Sequence, residues 1–209
     1  MKAKKLFTKN IKKNISEGLL IVFSVLFALF IDKLFNDYET EKQKALAIDS
    51  IYKELKQNIS TLERWEKDHK QITDRITKMV SGKSDSLVKE LSKYNFLNLS
   101  IITNNKSIID ATLYKTAWES AKATGIITEF DFKTTQKLTS VYAFQGYMAL
   151  SISNITEYYY RKEAHDISQL NQTLRQLQIR FFNLNGQETI AKKLHNEAIF
   201  LLNDLYKIE

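Results

Sequence analysis

The hydrophobic pattern of residues 48–79 predicts one long amphipathic helix. Its repeating positions, at alternating steps of three and four, are Ile48, Ile51, Leu55, Asn58, Leu62, Trp65, His69, Ile72, Ile76 and Met79. A repeat sustained over this length is typical of a coiled coil or of one helix in a bundle. Further apolar residues such as Tyr52 and Ile59 widen the stripe, which favours the bundle. Only Asn58 and His69 are polar, and we interpret His69 as a residue that sets helix register.

A second apolar segment, residues 18–31, has no polar face at all. Eleven of its 14 residues are Leu, Ile, Val or Phe, and none is charged. As a helix these 14 residues reach roughly 21 Å, which is short of the roughly 30 Å hydrocarbon core of a bilayer. Counting the apolar flanks Ile15 and Leu34-Phe35 extends the face to roughly 31 Å. A membrane span is therefore geometrically possible.

Three interpretations of this segment remain open: an uncleaved span, a cleaved signal peptide and a core helix. No A-x-A-like cleavage pattern follows the apolar run, which leads into Phe30-Ile31-Asp32-Lys33. A core helix of this composition would need burial on every side. We therefore favour the uncleaved span, at residues 17–35. Within it, Ser24 and Ala28 form a small-xxx-small pair, which favours packing against itself or another membrane helix.

The net charge of +7 is concentrated ahead of the apolar segment. Residues 1–16 contain no acid and six of the 31 basic residues: Lys2, Lys4, Lys5, Lys9, Lys12 and Lys13. This leaves 25 bases against 24 acids in the rest of the chain. A nucleic-acid partner is not expected, because the remainder is almost neutral. The lysines instead predict a cytoplasmic tail at 1–16, with everything after Phe35 outside the cytoplasm. The expected location is the bacterial inner (plasma) membrane, with membrane lipid as one partner.

Composition favours an all-α fold for the rest of the chain. There are no prolines or cysteines and only five glycines, so long helices have few breakers, and disulfides and thiolate metal sites are excluded. We predict a stalk at 36–47 and an extracytoplasmic helical domain at 48–209. The fold class is an N-terminal transmembrane helix followed by an antiparallel helical bundle.

The helices of the bundle are predicted from caps and breaks. After a turn at residues 81–86 a short helix is expected at about 87–93, whereas the conformation of residues 94–106 is left open as a brief strand or packed loop. Ser107 is predicted to cap a helix that Gly125 ends. Thr128 with Asp131 predicts the start of a long helix to about residue 161. Two further helices are expected on either side of Asn185-Gly186, carrying the following apolar residues: Leu170, Leu174, Leu177, Phe181 and Leu184 in one, and Ile190, Leu194, Leu201, Leu205 and Ile208 in the other.

Motifs for nucleotide or metal chemistry are incomplete. Gly82-Lys83-Ser84 matches the end of a phosphate-binding loop, but Thr77 stands where its first glycine is needed, and a helix C-cap at Gly82 is favoured. Glu66 and His69 supply one Glu-x-x-His turn of a di-iron site, and the chain has no second one. No nucleophile or acid–base set converges. We therefore expect no enzyme activity, no metal and no cofactor.

Trp118 is expected to be a core anchor. The alternative is a ligand pocket between helices. The candidate residues of that pocket are Tyr114, Trp118, Glu119, Tyr142 and Gln145.

Several short motifs give the chain a resemblance to a known group of proteins. They are EGLLIVFSVLFALFIDK at 17–33, YKEL at 52–55, YKTAWE at 114–119 followed by Gly125, and Val141-Tyr142 with Gln145. In these features the chain resembles an uncharacterised family of small bacterial single-span membrane proteins with a lysine-rich N-terminus and an exported helical domain. The resemblance implies the topology given above and brings no established activity.

Two functions follow as expectations. The first is a membrane-anchored interaction or scaffold subunit of a bacterial cell-envelope complex, whose partners are other membrane or envelope proteins, or a second copy bound through the anchor. The alternative is an extracytoplasmic ligand-sensing bundle that acts through a membrane partner. The anchor, the long seam and the lack of a catalytic set favour the first.

Overall fold

The computed structural model describes the backbone of residues 2–208 and the side chains of residues 17–208. Over this range the chain is all-α and contains no β-strand. Its helices are α1 (Lys2–Val80), α2 (Asp85–Leu91), α3 (Ser100–Thr103), α4 (Thr116–Ala123), α5 (Phe132–Tyr160) and α6 (Leu170–Tyr206), with short 3₁₀ turns at Ile126–Glu129, Lys162–His165 and Ile167–Gln169. Two compact units are present, Met1–Leu46 and Ala47–Glu209.

The first unit contains the apolar part of α1. Every side chain from Gly18 to Ile31 is exposed. The helix that contains these residues is long and apolar enough to cross a membrane, and none of its apolar stretch is buried. A signal sequence near an N-terminus meets the same criteria. Ser24 and Ala28 lie one turn apart, and the Ser24 hydroxyl donates to the Leu20 carbonyl over 2.8 Å. The six predicted orientation lysines, Lys2, Lys4, Lys5, Lys9, Lys12 and Lys13, have side chains outside the described range.

The predicted seam of α1 is the spine of the second unit. All ten seam positions are buried, from Ile48 to Met79. The helix ends where the sequence predicts, because Gly82 takes a left-handed φ of 66° and lets Lys83 N–H donate to Lys78 O and Gly82 N–H to Met79 O. This pair of bonds is the Schellman motif. Gly82 is therefore a helix terminator, and the partial phosphate-loop motif is a turn after a helix.

Among the three long helices, α6 runs in the opposite direction to α1 and α5. Side-chain bonds join Thr77 to Gln178 and Glu66 to Lys192, so α6 runs antiparallel to α1. Tyr206 bonds to Asp131 and Lys137 to Glu197, so α6 also runs antiparallel to α5. The helices α1 and α5 are therefore parallel, and the chain must return along the bundle between them.

The chain returns along α1 mainly in a non-helical conformation. After α3, left-handed Asn104 and Asn105 turn the chain into an extended stretch, which we call the return segment (residues 104–115). Asparagine tolerates this conformation better than most residues. The segment then follows α1 backwards, because Ile108 contacts His69 and Tyr114 contacts Asn58. Both polar residues of the seam therefore bind the main chain of the return segment.

The helix predicted to start at Ser107 is wrong in its first part, since α4 begins only at Thr116. The Ser107 hydroxyl instead accepts from the N–H of Ile109, as in a tight turn. The cap of α4 comes from another helix: Glu54 of α1 accepts a hydrogen bond of 2.8 Å from Ala117 N–H. A carboxylate at this end also complements the helix dipole. The predicted capping-box start at Thr128 is wrong in its first residue: the N-cap of α5 is Asp131, which accepts from Thr134 N–H, and Thr128 lies in the preceding 3₁₀ turn.

The prediction of two C-terminal helices is also wrong, because α6 continues through Asn185-Gly186. Asn185 donates its side-chain amide to Thr73 on α1, which ties the supposed break to the bundle. Continuity changes the buried face of the last third: Ile190 and Leu205 are exposed. The core positions there are Glu188, Ala191, His195, Ala198, Leu201 and Leu202. The face of this part of α6 that packs into the core therefore differs from the apolar face predicted from the sequence.

Candidate functional site

A cleft of about 260 Å³ opens between the return segment and α5, and we call it the Gln145 cleft. Its walls are mostly apolar. They are Ile109, Ala111, Thr112, Leu113 and Lys115 of the return segment, Tyr142, Gln145, Gly146, Met148, Ala149 and Ile152 of α5, together with Trp65 and Glu119. An apolar cleft with a few convergent polar groups is the usual form of a small-molecule site.

The back wall of the cleft is a buried network centred on Glu54. The Tyr142 hydroxyl donates to Glu54 Oε1 over 2.7 Å, while the second carboxylate oxygen caps α4. Burial, together with the hydrogen bond to Glu54 and its negative charge, raises the pKa of Tyr142, so this hydroxyl keeps its proton. Trp118 stacks face to face on Tyr142 with ring centroids 5.3 Å apart. The network fixes the tyrosine ring that lines the cleft.

Gln145 is a buried polar residue in the wall of the cleft. Its amide Nε2 donates to the Tyr114 carbonyl over 3.1 Å. Asn58 holds the same residue from the other side, with 2.7 Å bonds to both its N–H and its carbonyl. Gln145 is only 7% exposed, and its Oε1 has no hydrogen-bond partner in the described chain. A buried acceptor without a donor costs about 1–3 kcal/mol.

The rim of the cleft carries charge. Glu119 pairs with Lys122 over 2.8 Å. Lys115 is exposed and forms no ion pair with any residue from 17 to 208. The cleft thus combines apolar walls with one unpaired cation at its rim.

The five predicted pocket residues have different positions. Glu119, Tyr142 and Gln145 line the cleft directly. Trp118 lies behind Tyr142, and Tyr114 contributes its main chain to the bonds that hold Gln145 and Asn58. Sequence reasoning missed Gly146 and Lys115 as cleft residues, and neither stands out from other glycines and lysines in the sequence.

A second opening of about 340 Å³ also involves Trp65, but its charged side chains are all paired, unlike Lys115 of the Gln145 cleft. Asp68 pairs with Lys106, and Asp110 accepts from both Arg64 and Trp65. His69, the remaining polar residue of interest there, is bonded at both ring nitrogens. The Gln145 cleft is therefore the better candidate site.

His69 and Glu188 form a pair buried inside the bundle. His69 Nε2 lies 2.7 Å from the Ile108 carbonyl, which can only accept, so this nitrogen carries hydrogen. The contact of Nδ1 with the Glu188 carboxylate then holds one proton between the two groups. Burial acts to lower the pKa of His69, but the bond to Glu188 and its charge outweigh it and the pKa is raised. The pKa of Glu188 is raised as well, by burial, although His69 opposes this.

The Glu66-x-x-His69 turn is not arranged as a metal site. Glu66 accepts from Thr189 and Lys192 of α6, and His69 has the partners given above. Among residues 17–208, no group of three or more His, Asp or Glu side chains is placed to hold a metal ion. The sequence pattern did not predict Glu188 as a core residue, because the buried face of the last third of α6 differs from the predicted one.

His195 is the second fully buried histidine, and we expect it to destabilise the protein on acidification. Its Nδ1 donates to Ala191 O over 2.8 Å, while Nε2 has no partner in the described chain. Burial lowers its pKa below the ordinary 6.5, although the bond to Ala191 opposes this. The folded state therefore binds the proton less readily than the unfolded state. Its contribution to stability is complete above pH 6.5 and is lost as the pH falls.

The measurement is urea unfolding of the full chain in detergent between pH 5 and 7. His195→Leu should flatten the loss of stability below pH 6.5, because the buried imidazole no longer has to remain neutral. Carboxylates whose pKa is lowered, such as Glu66 and Asp110, keep their contribution to stability through this range and lose it only at lower pH. An acid loss of the same slope in the variant would contradict the assignment.

Comparison with protein-family models, curated proteins and solved structures finds no match to this chain. The fold and the cleft therefore rest on the chain's own residues.

Proposed function

We propose that this chain is a single-pass protein of the bacterial inner membrane, with its N-terminus in the cytoplasm and its helical domain outside. One observation carries the proposal: residues 18–31 are apolar and exposed on every side, whereas the unit Ala47–Glu209 has a buried core of its own. An exposed apolar helix of this kind needs lipid or another protein around it. The lysines of residues 1–16 supply the orientation, and the resemblance to small bacterial single-span proteins agrees with it.

The function that we propose for the domain is that of an interaction or scaffold subunit in a cell-envelope complex. Several of its charged groups form ion pairs between segments of the domain, for example Lys137 with Glu197 and Arg64 with Asp110. No set of nucleophile, base and oxyanion donors converges among the described side chains. The protein therefore has no enzymatic activity in this proposal, and it uses no metal or cofactor.

Topology is tested by fusing a reporter after residue 209. A periplasmic reporter such as alkaline phosphatase should be active, and a reporter that fluoresces only in the cytoplasm should stay dark. A fluorescent cytoplasmic fusion would overturn the orientation. N-terminal sequencing of the mature protein separates the span from a signal peptide, because cleavage near residue 32 would remove the anchor.

Association is tested through the small residues of the anchor. Ser24→Leu combined with Ala28→Leu should reduce copurification of partners, or of a second tagged copy, from mild detergent, because the helices can no longer approach closely. The matched control is Val25→Leu, which adds bulk to a different face of the same helix. Partner recovery equal to that of the unaltered chain would show that the anchor is not the assembly surface.

A ligand-sensing bundle is the second candidate function, and the Gln145 cleft favours it. The cleft is open and mostly apolar, with an unpaired lysine at its rim, which is the usual form of a small-molecule site. In this alternative, ligand binding to the domain changes its contacts with a membrane partner.

A further inference from the structure

We propose that the outer edge of the return segment binds an extended peptide segment of a partner protein, which pairs with it as an added strand along the Gln145 cleft. The peptide has apolar side chains at alternate positions and an acidic residue beside Lys115. This inference rests on the first of the two proposed functions and deepens it, because it assigns the interaction subunit a surface and a class of partner.

The return segment has nearly the length per residue of a β-strand. Its Ile108 and Tyr114 bind His69 and Asn58 of α1, which are eleven residues apart in that helix. At the helical rise, these eleven residues cover roughly 16 Å, so the return segment advances roughly 2.7 Å per residue between Ile108 and Tyr114. A strand advances about 3.3 Å per residue and a helix about 1.5 Å. The segment is therefore close to fully extended.

The exposure of its side chains also follows the pattern of a strand. Residues 109–114 alternate between half-buried and exposed side chains. The half-buried ones, which pack against the core of the bundle, are Ile109, Ala111 and Leu113. A period of two is typical of a strand with one face covered. The bundle therefore covers one face of the return segment and leaves the other to solvent.

The two edges of the return segment differ in their hydrogen bonds. In an extended chain the main-chain groups of successive residues point to opposite edges. Ile108 and Tyr114 use theirs on α1, so the odd-numbered residues direct theirs away from α1. On this outer edge, the N–H and C=O groups of Ala111 and Leu113 and the N–H of Lys115 have no hydrogen-bond partner in the described chain. All three residues line the cleft, and such an unpaired edge is a template for another strand.

Helix α5 supplies the surface under an added strand. Gly146 and Ala149 lie one turn apart and line the cleft, and a Cβ added at Gly146 would meet no atom within 4 Å. Met148 and Ile152 also line it, so side chains that point towards the bundle meet an apolar surface with open space. Main-chain pairing along an edge, with alternate side chains on such a surface, is the mode of peptide recognition called β-augmentation.

The charge at the rim favours an acidic residue at one end of the peptide. Of the two charged residues that line the cleft, Glu119 is paired with Lys122, whereas Lys115 has no acidic partner within residues 17–208. Side chains directly opposite each other in an antiparallel pair interact, and opposite charges are favourable there. We therefore expect a carboxylate of the peptide opposite Lys115.

The probe is the synthetic peptide acetyl-Glu-Thr-Val-Thr-Val-Thr-amide, added to the full chain in detergent. In an antiparallel register its glutamate lies opposite Lys115 and its two valines lie opposite Leu113 and Ala111. The peptide has no aromatic residue, so intrinsic fluorescence can report binding through Trp65, which lines the cleft. We expect a saturable fluorescence change and slower amide hydrogen exchange at Ala111 and Leu113.

Methylation of the peptide nitrogens tests the pairing itself. The N–H groups of both valines face the outer edge, so methylating these two nitrogens should weaken binding about tenfold for each lost hydrogen bond. The matched control carries methyl groups on the nitrogens of the first two threonines, which face away from the return segment. Its affinity should stay close to that of the unmodified peptide.

Two variants of the protein test the edge and the charge. Ala111→Pro removes one N–H from the outer edge, and proline is tolerated at the edge of a strand. It should weaken peptide binding about tenfold and leave the thermal midpoint near that of the unaltered chain. Lys115→Met should weaken the peptide about two- to fivefold, as for an exposed ion pair, and leave its glutamine analogue unchanged.

Gly146→Leu fills the space under the added strand, and Gly186→Leu is its matched control. Both glycines lie within long helices and have no atom within 4 Å of an added Cβ. Both changes should raise the thermal midpoint by about 2–4 °C, because glycine is unfavourable inside a helix. Only Gly146→Leu should abolish peptide binding.

The inference is overturned if the unaltered chain shows no saturable response, if the two methylated peptides bind equally, or if the Gly146→Leu variant still binds. Any of these results, with membrane or envelope partners still copurified, leaves the interaction function standing on another surface. Peptide binding that depends on the valine nitrogens, with no copurified partner, supports the peptide site and rejects the interaction function.

Discussion

His69→Leu is expected to destabilise the protein by about 3–5 kcal/mol at pH 7, the range for breaking a buried pair from one side. Both partners are buried, and the second oxygen of Glu188 already lacks a hydrogen bond in the described chain. Without the imidazole, neither carboxylate oxygen has a donor. The carboxyl must then bind a proton from solvent to remain in the core.

The double variant His69→Leu/Glu188→Leu should recover most of this loss, because apolar side chains in place of both partners leave no buried charge. Lys192→Met is the control. It also breaks an ionic contact between α1 and α6, with Glu66, but both side chains are about 30% exposed, so it should cost no more than about 1 kcal/mol. Equal losses in the double variant and in His69→Leu would contradict the argument.

The pair of His69 and Glu188 also predicts how the stability of the protein changes above neutral pH. The pKa of His69 is raised in the folded state, so its contribution is fully present below the unfolded value of 6.5 and declines as the pH rises through the folded value. Stability of the unaltered chain should therefore fall between pH 6.5 and 9. Urea unfolding over this range should show the decline, and the double variant should lose it.

Phe181→Ala is expected to cost about 3–5 kcal/mol, as is usual for a large ring removed from a packed core. Phe181 is among the largest fully buried side chains, and its ring lies 5.8 Å from that of His69. Deleting it opens a cavity at the centre of the bundle. Thermal or urea unfolding of the full chain in detergent measures the loss.

Phe182→Ala is the matched control, because it removes the same side chain from the next position of α6, where 70% of it is exposed. Its effect should stay within about 0.5 kcal/mol. The adjacent pair tests the direction of the buried face of α6 as well as its packing. Comparable losses in the two variants would mean that the helix is rotated from the position described above.

The long-range outline of the fold could be predicted because it depends on local periodicity. The positions from Ile48 to Met79 repeat with the period of a helix, and all of them are buried. Gly82 acts as predicted because a C-cap depends on one residue and its immediate neighbours, whereas the N-cap of α5 is Asp131 rather than Thr128. The all-α class follows from these signals and from the lack of breakers.

The return segment could not be predicted, since its conformation depends on contacts with distant residues. Asn58 and His69 lie 56 and 39 residues before their partners Tyr114 and Ile108. In the sequence they looked only like polar interruptions of an apolar stripe. Glu54, which caps α4, likewise has no local signal for that role.

The candidate site was accessible from the sequence only in part. Tyr142 and Gln145 attract attention as polar residues on an apolar helix face, whereas Gly146 and Lys115 become informative only once the return segment is positioned beside them. The displaced face of α6 has a similar origin. Asn185-Gly186 is a common breaking signal, and the bond from Asn185 to Thr73 on another helix overrides it.

The pairing of α1 with α6 also has a consequence for biosynthesis. The partners Thr77 and Gln178 are 101 residues apart, and Glu66 and Lys192 are 126 apart. Because α1 precedes α6 in the chain, the part of the α1 face that packs on α6 stays uncovered on the ribosome until α6 has been synthesised. Such a nascent domain exposes apolar surface and is prone to aggregation until α6 closes the core.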